Sequence, residues 1–173
     1  MGRASFQGAV RFLSGSYAQG PGTTLNITAS AITLDPDTYA GRMIRVNVAT
    51  TVITLPPINP VADPQNAGPG PDPNTQSNVG CLYTFVIETA ATSVAFKTQS
   101  PDKIIGSLNS SVAAGTMTSF PANPASTTTV TMNGGTTGGA VGSTISFLAL
   151  ASGKYLLQDS NVLGVGAQTT PFS

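Results

Sequence analysis

Glycine and proline are spread so densely along this chain that they decide what it can fold into. There are 19 Gly and 13 Pro in 173 residues, and they rarely leave a dozen positions uninterrupted. Inside a helix each Gly costs about 1 kcal/mol relative to Ala and each Pro about 3. The strong helix formers Glu and Lys, which occur once and three times, do little to offset that. The most helix the sequence predicts is a single turn near "SPDKIIGSL", with Ser100 or Asp102 as its cap.

Between these breakers the apolar residues alternate with the period of strands. In "RMIRVNV", Ile44, Val46 and Val48 share a face, and "TVITLP" continues through Val52, Ile53 and Leu55. In "CLYTFVIE", Tyr83, Phe85 and Ile87 alternate with Thr84, Val86 and Glu88, while "SVAFKT" sets Val94 beside Phe96. "STISFLALASGKYLLQD" reads as a hairpin, with Ile145 and Phe147 leading into the turn Ser152-Gly153 and Tyr155 and Leu157 leading out. Threonine, present 24 times, suits a pleated and half-exposed surface. Short runs bounded by Gly, Pro, Asn and Asp predict an all-β fold, a single β-sandwich or barrel-like domain.

Three stretches break the pattern. "GSYAQGPGTT" separates an apolar patch (Phe6, Val10, Phe12, Leu13) from the first strand, so residues 1–24 read as an extended N-terminal arm on a β domain spanning 25–173. Seven of the prolines fall between Pro56 and Pro73, making 56–79 a long Pro- and Gly-rich loop. The composition does not change across it, so it is an insertion in one domain, not a linker between two. A Pro-rich loop loses less entropy on docking than a flexible one, and Ile58 and Val61 are its candidate anchors on a neighbour. Phe6, Val10 and Phe12 are the candidate anchors of the arm. "NGGTTGGAVGST", residues 133–144, is the third irregular stretch.

The chemistry the side chains can supply is narrow. Histidine is absent, which removes the usual base near neutral pH and the commonest metal ligand. Cys81 is the single cysteine, so no intrachain disulfide forms, and its place in "CLYTFVI" suits a small buried hydrophobe. Asp35 and Asp37 in "LDPDTY" read as a turn, and Glu88, Asp102 and Asp159 are isolated carboxylates. No "DxDxDG" run supports calcium, and no Lys follows the glycines of 133–144 as a phosphate loop requires. "GVGAQT" at 164–169 imitates the start of a dinucleotide fingerprint, but no βαβ unit can follow it. The sequence therefore predicts no catalytic residue, no metal and no cofactor.

Charged residues make up 8% of the chain, against about 25% in a typical soluble domain, and seven basic residues balance seven acidic ones. Zero net charge exerts no pull towards nucleic acid or an anionic membrane. The N-terminus lacks the apolar core of a secretory signal, and no apolar run is long enough to span a bilayer. A soluble protein made in the cytosol is the expectation.

"TVITLPPI", then "GCLYTFVIET", then "DKIIGSLN" follow one another in an order that resembles small β-rich virion proteins of tailed bacteriophages, especially capsid decoration (cement) proteins. The resemblance covers roughly residues 32–110. It implies a non-enzymatic virion structural protein on the outer capsid surface, a homotrimer that stabilises the shell by bridging subunits of the major capsid protein. A trimeric tail-fibre or receptor-binding domain is the alternative. Its sugar-binding groove would need exposed aromatics, whereas the eleven aromatics here include no Trp and fall mostly at core positions. A glycosidase or lyase needs a charged cleft, which fourteen charged residues without His hardly furnish.

Overall fold

The computed structural model describes residues 24–58, 78–112, 115–150 and 153–173, the side chain of Asp37 excepted. They form an all-β domain of two mixed sheets. The first half of the chain supplies β1 (Leu25–Ile27), β2 (Ala31–Thr33), β3 (Met43–Val46), β4 (Thr50–Thr54), β5 (Leu82–Ile87) and β6 (Ser93–Lys97). The second half supplies β7 (Lys103–Ile105), β8 (Ser107–Val112), β9 (Met117–Pro121), β10 (Thr129–Met132), β11 (Thr144–Leu150) and β12 (Lys154–Gly164). The larger sheet runs β1-β3-β5-β11-β12-β8-β9, with β7 also against β12, and the smaller runs β10-β6-β4-β2.

The first six strands visit the two sheets in turn. β1, β3 and β5 lie parallel in the larger sheet, and β2, β4 and β6 lie parallel in the smaller. A parallel pair needs a long crossover, usually a helix. Here a strand of the opposite sheet serves, so the chain winds as a flattened coil. Successive coils are hydrogen-bonded at their corners, as in Asn47 N–H to Ile27 O (2.9 Å) and Leu55 N–H to Lys97 O (2.8 Å). The returns from the smaller sheet to the larger (34–42, 55–81 and 98–102) are corners of one kind, and the outward passages (28–30, 47–49 and 88–92) are of the other.

The inward side chains are those that the alternation picks out. Ile44, Val46, Ile53, Leu55, Tyr83, Phe85, Ile87, Val94, Phe96, Ile145, Phe147 and Tyr155 are all fully buried in one core. At its centre Phe96 of the smaller sheet meets Phe85 and Phe147 of the larger, with ring centroids 4.8 and 5.5 Å apart. Each such ring is worth about 1.5–3 kcal/mol by burial, and tilted pairs add about 0.5–1.5 kcal/mol.

One local expectation needs correction. The helical turn lies at Pro36–Tyr39, not near Ser100, and Lys103–Ile105 is a strand. Asp35 starts the turn: its carbonyl accepts from Thr38 and Tyr39, its carboxylate from the Thr38 hydroxyl at 2.8 Å, and Pro36 opens the turn where a missing N–H costs nothing. Ile104 and Ile105 instead extend along β12 in parallel register, as suits β-branched residues. Residues 133–143 are irregular, as expected, and are tied together by local hydrogen bonds. Asn133 Oδ1 accepts from the N–H groups of Gly135 and Thr137, and Gly134 N–H donates to Gly138 O. Gly139 (φ 96°) passes so close to Met132 and Ala91 that a Cβ there would lie 2.7 and 2.9 Å from their Cβ atoms. Gly134, Gly138 and Gly139 are packing residues.

The expected 1–24 arm lies outside the described residues except for Thr24, as does most of the 56–79 loop.

Candidate interaction site at the stem of residues 59–77

The corner between β4 and β5 departs at Pro56-Pro57-Ile58 and returns at Asn78, and the two ends are fastened to the core and to each other. Beyond β4 and Leu55 come two prolines, which cannot donate to a ladder and so release the chain from the sheet. Their carbonyls are captured by side chains. The Tyr155 hydroxyl, reaching from β12, donates to Pro56 O at 2.6 Å, and Asn78 Nδ2 donates to Pro57 O at 3.0 Å. The N–H of Ile58 donates to Asp102 Oδ2 at 2.7 Å, and Gln99 Nε2 donates to Leu55 O at 3.2 Å. On the return, Gly80 N–H reaches Ala149 O and Cys81 N–H reaches Asn78 O.

This is a buried polar cluster. Asn78 and Asp102 are 2% and 3% exposed, and Tyr155 and Tyr83 are fully buried. Burial pushes both phenols well above their ordinary range; the Asp102 charge adds to this at Tyr155, and Tyr155 and Cys81 add to it at Tyr83, which sits beside Asn78 and Cys81. Both stay protonated, so Tyr155 is a fixed donor, while Asp102 Oδ2 accepts from a backbone N–H. Every hydrogen bond named at the stem ends on a main-chain atom of residues 55–58 or 78–81, or of Ala149 behind them. The arrangement holds backbone.

Glu88, Asp159 and a surface hollow lie elsewhere among the described residues. Glu88 forms a two-pronged pair with Arg45 on the outer side of the larger sheet, the Nε to Oε1 distance being 2.6 Å. Asp159 occupies a bulge in β12 with φ 44°. Among the described residues no three His, Cys, Asp or Glu converge as metal ligands, and no helix is long and apolar enough to cross a membrane. A hollow of about 700 Å³ beside Val112, Thr116, Thr118, Val165 and Gln168 is lined without a titratable group.

Of the expected anchors, Phe6, Val10, Phe12 and Val61 lie outside the described residues. Ile58 is 7% exposed and belongs to this chain's own core, so it would have to leave that core to reach a neighbour. Tyr155, Asn78 and Gln99 were not legible as stem residues. Tyr155 reads as a core position from its alternation, and only the fold carries its hydroxyl across to Pro56, 99 residues away in sequence.

No family model matches this chain, and no curated protein or solved structure matches it either. This corrects the vocabulary that came with the resemblance. With no relative to carry them, the terms virion, capsid decoration protein, cement protein, bacteriophage, homotrimer and structural protein do not attach to this chain; all-β stands, on the sheets themselves.

Proposed function

We propose that this chain is a non-enzymatic protein that works by contact, a two-sheet body that presents residues 59–77 to the surface of another protein. The observation that carries the reading is the stem: buried Tyr155, Asp102 and Asn78 grip the backbone where the segment leaves and re-enters. Stacking of the sheets as a sandwich, supported by the meeting of Phe85, Phe96 and Phe147, gives that stem a stiff base. Fixing both ends limits the conformational freedom left to lose on docking.

The test is photo-crosslinking in the cells that make the protein, with the reactive residue at Val61 or Ala67 and a control at Ser126, which is exposed and remote in sequence from the stem. The reading expects one discrete protein adduct from 61 and 67 and none from 126. Removing residues 60–75 should abolish that adduct while the purified chain melts within a few degrees of the parent, because shortening a loop whose ends are already held changes stability little. Equal crosslinking at Ser126, or an adduct that survives the deletion, sinks the reading.

A further inference from the structure

The outward face of the larger sheet carries a row of aliphatic side chains that alternation alone would not give it. Register aligns Leu82 with Leu148, Leu148 with Leu156 and Leu156 with Ile105, so four aliphatics stand abreast on β5, β11, β12 and β7. Leu150 flanks the row two positions along β11 from Leu148, and Met43, 46% exposed, stands on β3 opposite Thr84. None of these six belongs to the core, nor is any among the half-buried hydrophobics packed against it. A sheet face left to water ordinarily carries polar residues there, as this one does further out, at Ser107, Asn109 and Ser119.

We propose that this row is the docking site for the chain's own N-terminal segment, Phe6 to Leu13, laid across it within the same molecule. The connection can reach. Thr24, the first of the described residues, adjoins β1 at an edge of this same sheet, and the far end of the row lies five strands away, about 24 Å at the usual spacing. Residues 14–24 span up to roughly 35 Å when extended. The pattern also fits: Val10 and Phe12 share one face of an extended segment with Phe6, which turns Arg11 to the other. Phe6 to Phe12 covers about 20 Å, against about 14 Å for the three spacings of the row. The size of the row favours a tethered occupant over a second copy. Except for Met43 these side chains are already half-buried, and they expose far less than the roughly 800 Å² per partner of a stable interface. A tether replaces much of that area with an effective concentration in the millimolar range.

The test pairs two cysteines in a Cys81→Ser background: Phe12→Cys with Leu156→Cys, and as control Phe12→Cys with Thr131→Cys on the outward face of the smaller sheet. Under oxidised glutathione the first pair should close an intramolecular disulfide at least ten-fold faster than the control. Equal rates, or disulfides only between molecules, overturn the proposal. The triple variant Phe6→Ser, Val10→Ser, Phe12→Ser should lower the melting temperature by a few degrees, through the lost apolar burial, and raise binding of an apolar dye several-fold. Unchanged dye binding overturns it as well. The inference is independent of residues 59–77 and can fail on the cysteine pair while the crosslinks at Val61 stand.

Discussion

At the scale of single residues, the side chains that matter most are polar ones placed among apolar neighbours. Tyr155 is a core aromatic, 6.5 Å from Phe147 and 6.3 Å from Tyr83 by ring centroid, and a donor to Pro56 O. Tyr155→Phe keeps the ring and leaves a buried carbonyl unpaired, at a cost of about 1–3 kcal/mol, read as a lower denaturant midpoint with unchanged slope. The Arg45–Glu88 pair behaves differently because it is exposed. Arg45 holds the Glu88 carboxyl below its ordinary value, chiefly by their hydrogen bond. A lowered folded pKa gives stability that is present above the unfolded value, near 4.5, and is lost as pH falls through the folded one. The difference in melting temperature between the parent and Arg45→Ala should therefore be small at pH 7 and shrink towards nothing in acid.

At the scale of elements, close approach sets what a loop can be made of. Gly139 pairs a positive φ with space too small for a Cβ, and Ala91 N–H binds its carbonyl at 2.9 Å. Gly139→Ala should cost about 1–3 kcal/mol through overpacking and about 1–2 more through the left-handed backbone, seen as a drop in thermal midpoint. Elements also divide into those the sequence reveals and those it conceals. β3, β5, β6, β11 and β12 are legible because their alternation is carried by large apolar side chains, and the structure buries the faces so marked. β8 and β9 are concealed, since "SLNSSV" and "MTSFP" owe their extended form to pairing with β12 and with each other. The bulge at Asp159 could not be foreseen either. It inserts one residue into β12, and Ser160 Oγ accepts from Ser146 N–H at 3.2 Å where the ladder would otherwise gap. The stem was hardest of all, being an agreement among residues from four separate parts of the chain.

At the scale of the whole molecule, the winding of the first six strands explains how a long run of residues can be inserted between β4 and β5 without breaking the pairing of either sheet. Each coil closes on the previous one through corner hydrogen bonds, and the 55–81 corner is closed at its stem before residues 59–77 begin. Insertion there leaves β4 paired with β6 and β5 paired with β3.

The larger sheet is completed in a different way. β12 alone pairs with β11 on one side and with β7 and β8 on the other, so it joins the coiled half of the sheet to the half made of β7, β8 and β9. As the chain leaves the ribosome the coil can lay down turn by turn, yet β5 keeps one bare edge, "LYTFVI", until residue 144 has emerged. An open apolar edge recruits other strands. Nascent chains arrested before β11 should accordingly pellet on centrifugation, and chains released after residue 164 should stay in the supernatant. It is β11, made more than fifty residues after β5, that covers this edge and on which productive folding waits.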